Sequence, residues 1–148
     1  MPEYKDQEQD IDLASGLAAF EAKHFSRAIQ LLTAYAEGGN AEAQYRLAIM
    51  CQNGLGTVRN ESLAYSWMSQ AASQGYGLAY HGLGFMYLEG DCAERDNRKA
   101  AKCFARGTEQ GLEGSMIALA QLYDEGRGVR KNPERARELF RRAGCSNP

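Results

Sequence analysis

The segment His81–Gly90, "HGLGFMYLEG", decides how this chain folds. Its glycines pose a choice between a phosphate-binding loop and the close packing of helices. A dinucleotide fingerprint needs G-x-G-x-x-G between a strand and a helix. Here Gly82 and Gly84 are followed by Phe85, Met86 and Tyr87, so the third glycine is missing, and no β-branched run precedes them. The same pattern recurs 36 residues away in both directions, and that recurrence settles the choice.

Leu47, Leu83 and Leu119 follow a 36-residue step, as do Gly54, Gly90 and Gly126, and Ala64, Ala100 and Ala136. Asn60, Asp96 and Asn132 keep it too, with Ala71, Gly107 and Ala143. A fixed period of this length marks a stacked-repeat architecture. Within a unit, Ala43, Leu47 and Cys51 recur every four residues, which is one face of a helix. A glycine then stops that helix, by taking the left-handed conformation that other residues resist. Asn60, Asp96 and Asn132 open a second helix, each with a side-chain oxygen able to accept from a free backbone N–H. The stripe of that second helix is Ala64, Trp67, Met68 and Ala71, then Ala100, Cys103, Phe104 and Gly107, then Ala136, Leu139, Phe140 and Ala143. A shorter first unit places Ala28 one period before Ala64 and Gly39 one period before Gly75. Eight helices in four pairs are predicted. The pairs span about residues 11–39, 40–75, 76–111 and 112–145 of one domain covering 1–148, with residues 1–10 as a leader. Gly84 is then a packing residue against a neighbouring helix, and Gly90 a helix stop.

Composition agrees. Apolar residues make up 44% of the 148 and charged residues 24%, with only three prolines. These proportions are ordinary for a globular protein, and the alanine–leucine bias favours helix. A net charge of −2 gives no global pull toward nucleic acid or anionic membrane. The opening "MPEYKDQEQDID" has neither a basic nor an apolar stretch, so no secretory signal is expected and a cytoplasmic location is. The four cysteines form no C-x-x-C and there are two histidines, so metal sites are not expected and the thiols are expected to be free.

The stretches "AYHGLGFMYLEG", "ALAQLYDEGRGVRKNPERA" and "LAYSWMSQAASQG" resemble the Sel1-like repeat family, a relative of the tetratricopeptide repeats. The first unit, "AFEAKHFSRAIQLL", is closer to a tetratricopeptide unit. The resemblance covers about Asp12 to Gly144 and implies an all-α fold: a right-handed α-solenoid of four helix–turn–helix repeats. Departures from the family pattern are Cys51 at a tyrosine position, Cys103 at a tryptophan position and Cys92 at the second loop glycine. The loop "GDCAERDN" is therefore expected to adopt a different backbone from its neighbours.

Members of that family act mostly as non-catalytic scaffolds whose concave groove holds a peptide segment or partner protein. The resemblance implies that the first helix of each pair lines the groove. Positions pointing away from the alanine–leucine stripe are then Tyr45, Ile49 and Gln52, followed by His81, Phe85 and Leu88, and by Ile117, Gln121 and Asp124. Phe85, Leu88 and Ile117 have an equal reading as core, whereas Tyr45, Gln121 and Asp124 are expected to be exposed.

An enzyme like the β-lactam-hydrolysing cysteine-rich relatives is the alternative, but S-x-x-K and K-T-G are absent. No nucleophile lies at helical spacing on the face of His81. Asp124 and Glu125, being adjacent on a helix, point in different directions. Hence no catalytic, cofactor-binding or metal-binding residue is assigned. A nucleic-acid module is a further alternative, because residues 127–148 hold seven basic and two acidic groups. Aromatics for base stacking are not interleaved there. Residues 1–43, by contrast, hold eight acidic and three basic groups. Opposite charge on the two ends raises the expectation of weak head-to-tail self-association.

Overall fold

The computed structural model describes the backbone of residues 2–145 and the side chains of residues 11–145. The leader expected over residues 1–10 thus lies outside the described side chains. Eight α-helices follow in order: α1 Pro2–Glu21, α2 Phe25–Glu37, α3 Ala41–Asn53, α4 Glu61–Ser73, α5 Gly77–Glu89, α6 Asn97–Glu109, α7 Glu113–Glu125 and α8 Pro133–Arg142. No strand occurs among the described residues. The helices group into two compact units, 1–74 and 75–148, each built from two helix pairs. Among the described residues no helix is long and apolar enough to cross a membrane.

The unit-to-unit repeat of sequence becomes a repeat of hydrogen bonds. Asn60, Asp96 and Asn132 cap α4, α6 and α8, their side chains accepting from the N–H groups of Leu63, Lys99 and Arg135 at 3.0, 3.1 and 3.1 Å. The N–H of each cap residue donates back to the first helix of its own pair, at the carbonyls of Cys51, Tyr87 and Tyr123, each 2.9 Å away. An Asn or Asp at one position therefore both starts the second helix and closes the loop. Caps of this kind contribute roughly 1 kcal/mol each.

The middle loop corrects an expectation. Cys92 holds φ +65°, and its flanking bonds, Asp91 N–H to Met86 and Asp96 N–H to Tyr87, match those of the neighbouring loops. Its backbone follows the others although a cysteine replaces glycine. A left-handed residue with a Cβ costs roughly 1–2 kcal/mol, and the loop carries that strain rather than rearranging.

In the first unit the core gathers Ala19, Ala28, Leu32, Ala36, Ala43, Leu47 and Met50. In the second, Met86, Phe104 and Leu139 are fully buried. Small residues let the helices approach, and fully buried side chains of this size each stabilise the fold by roughly 2–3 kcal/mol. Gly84 of α5 shows the limit of that approach: a Cβ there would lie 2.7 Å from the Phe104 ring of α6. Trp67 and Phe140, placed on buried stripes by the period, are only half-buried.

Candidate interaction site

In the first unit α3 carries Tyr45, Ile49 and Gln52, and all three are half-buried. Tyr45 is thus not the exposed residue the sequence suggested. Arg46 lies beside it, its guanidinium 5.1 Å from the Phe20 ring centre on α1 and 5.2 Å from that of Tyr45. Glu21 and Glu42 flank the same guanidinium at 3.7 and 3.9 Å. Burial pushes the Tyr45 phenol above its ordinary pKa, and the Arg46 charge opposes that shift. Beneath this face the buried Gln44 donates to the Ala36 carbonyl at 3.0 Å and accepts from Gln74 at 2.9 Å. The carbonyl of Gln52 accepts from Arg59 at 2.8 Å, tying the face to the following loop. The arrangement is a stiff, mixed aromatic and charged surface.

In the second unit His81, Phe85 and Leu88 of α5 are half-buried, as is Ile117 of α7, whereas Gln121 and Asp124 of α7 are exposed. The half-buried residues are therefore neither fully core nor freely exposed. His81 and Phe85 meet edge to face at 4.9 Å, and both pack edge to face on Phe104, at 5.8 and 5.0 Å. Such aromatic pairs add roughly 0.5–1.5 kcal/mol beyond area burial. The rigid aromatic patch on α5 has a polar rim contributed by α7.

Sequence reading missed one partner. Ser115 of α7, fully buried, lies 2.9 Å from Nδ1 of His81. It occupies the position that Ala43 and Ala79 hold in the preceding repeats. That break in an alanine register was the available signal, since a hydroxyl in a core must find a partner. Two glycines make room: a Cβ on Gly107 would overlap the Ser115 hydroxyl, and one on Gly114 would come within 3.0 Å of the His81 ring. A histidine beside a serine has the outline of a base and its nucleophile. Here the hydroxyl is fully buried, and the bond links α5 to α7. Burial holds the His81 imidazole below its usual pKa, which keeps it neutral near pH 7. All four cysteines are free thiols, Cys51 and Cys103 buried, Cys92 and Cys145 half-exposed. Among the described residues no group of three or more His, Cys, Asp or Glu side chains gathers at metal-binding positions.

Comparison with known proteins adds to this geometry. A family model described as Sel1 repeat matches residues 41–76, 77–112 and 114–148. The chitin synthase regulator SKT5 of Saccharomyces cerevisiae is 29% identical over 119 residues, covering 78% of this chain. The ERAD-associated E3 ubiquitin-protein ligase component HRD3B of Arabidopsis thaliana is 29% identical over 109 residues, covering 72% of it. The chain spans 17% of the length of each of these two relatives. Among solved structures, c5321, a protective antigen of uropathogenic Escherichia coli displaying an SLR fold, superposes with a TM-score of 0.87 at 28% identity. That match covers 97% of this chain and 32% of the other.

Proposed function

Because this chain belongs to the Sel1 repeat family, whose members generally mediate protein–protein interaction, we propose that it is a non-catalytic scaffold. Its partner is a protein or peptide segment, held on the outward face of the first helices. In the second unit that face is the aromatic patch of His81 and Phe85 with Leu88 and Ile117, edged by Gln121 and Asp124. The observation carrying this reading is the combination of a fixed, half-buried aromatic pair with exposed polar groups on the adjoining helix. Interaction sites typically combine a rigid apolar anchor with a polar rim that confers orientation. The non-catalytic reading is supported by the fully buried Ser115 hydroxyl, which leaves His81 without a reachable nucleophile at its ring. Cytoplasmic placement is part of the proposal and fits four free thiols.

The test uses the exposed rim, where substitution does little to the fold. Gln121→Ala combined with Asp124→Ala should alter stability by less than about 0.5 kcal/mol. Quantitative affinity purification should show partners of the unsubstituted chain depleted several-fold on this variant. An unchanged partner profile on a folded variant would remove these residues from the site.

A further inference from the structure

We propose that a cleft on the second unit, between α6 and the loop after α7, is a docking site for the acidic first helix of a second copy of this chain. The cleft has a volume of about 390 Å³, with Ala105, Leu119, Tyr123 and Val129 forming its apolar wall. Arg98 and Lys102, both exposed, stand on its rim one helical turn apart on α6. Three other cations of the unit are engaged within it: Lys99 over the Tyr87 ring at 5.5 Å, Arg106 with Glu109 at 3.5 Å and Arg127 with Glu125 at 3.3 Å. Among the described residues Arg98 and Lys102 form no ion pair. Two adjacent like charges at an apolar mouth repel each other, and an anion carried on an apolar segment relieves that repulsion.

The repeat supplies its own control. Two periods earlier, in the first unit, the equivalent cleft of about 270 Å³ has Ile29, Leu47, Cys51 and Thr57 where the second has Ala101, Leu119, Tyr123 and Val129. Trp67 and Leu63 flank it, and its charged lining residue is Glu37. Helix packing therefore makes the cleft in both units, while the paired cations belong to the second alone.

A matching occupant is present in the chain. Ile11 on α1 is 64% exposed, far more than an isoleucine in a core, and Asp12 beside it is exposed. Asp10 precedes them, and residues 1–43 hold eight acidic against three basic groups. An exposed aliphatic side chain on a helix of net acidic sequence matches an apolar cleft rimmed by Arg98 and Lys102. The two surfaces differ, so the contact is heterologous: each copy offers its α1 to one neighbour and its cleft to another. Exposed charge attraction is screened within about 8 Å at physiological salt, so the association weakens as salt rises.

Sedimentation equilibrium of the full chain across protein concentration, at low and high salt, reads this directly. The unsubstituted chain should show a mass rising with concentration at low salt. Arg98→Glu with Lys102→Glu should weaken association by at least about tenfold, since like charges across an interface repel. Ile11→Ser with Asp12→Asn, on the other surface, should do the same. An equimolar mixture of the two variants should then form a dimer, one intact α1 in one intact cleft, and grow no further. Constant monomer mass of the unsubstituted chain, association that survives either variant, or a mixture that stays monomeric would each overturn the proposal.

Discussion

His81 joins three roles in one side chain: it packs on Phe85 and Phe104, bonds to Ser115 and borders the proposed binding face. Its titration can therefore be read as stability. Burial lowers the folded-state pKa below the usual 6.5. As pH falls through 6.5 the unfolded chain takes up its proton first, so the contribution of His81, fully present above 6.5, is lost progressively below it. Denaturant unfolding at pH 7.5 and 5.5 should show a larger loss for the unsubstituted chain than for His81→Gln. Equal losses would contradict a buried neutral imidazole. Ser115→Ala should cost about 1–2 kcal/mol at pH 7.5, because it strips a half-buried ring nitrogen of its partner. None of this was legible from position 81, since the partner is 34 residues away and on another helix. Tyr45 escaped for a like reason, because the Arg46 beside its ring is engaged with Phe20 and Glu21 of α1, on another helix.

At the scale of helix and loop, the 36-residue period carried most of the information. Cap residues, helix stops and stripe alanines recur because each pair must solve the same hydrogen-bonding and packing problem. What the period hides is a departure in one copy. Gly84 stands where the adjoining repeats have Ala48 and Ala120, so averaging over repeats would favour alanine there. The Phe104 ring decides otherwise, and Gly84→Ala should destabilise by about 1–3 kcal/mol through overpacking. Cys92 is the opposite case. It keeps a glycine's conformation, so Cys92→Gly should relieve strain, offset in part by the greater freedom of the unfolded chain. A net gain of up to about 1 kcal/mol, or roughly 2–4 °C in melting temperature for a chain of this size, is expected. Calorimetry on the two variants checks both signs. A tolerated alanine at 84, or a lowered melting temperature at 92, would mean that the local geometry gives way more readily than argued.

At the scale of the whole molecule, the fold class was legible in the sequence but the binding chemistry was only partly so. The nine groove residues inferred from the resemblance include two freely exposed ones, Gln121 and Asp124, while the other seven are half-buried. Helical period alone does not separate these grades, because they depend on what the adjoining pair places opposite. The charged cleft on α6 was hidden altogether, since its wall joins residues from α6, α7 and the following loop. The central claim is that the chain works by holding another protein on the α5–α7 face. Site-specific photo-crosslinking tests this most directly, with a photoreactive side chain introduced in turn at positions 121, 124 and 137. Arg137, exposed on α8, is the control. The account predicts that one discrete set of proteins is captured from 121 and 124 and not from 137. Capture from none of the three, or equal capture from all, would contradict it.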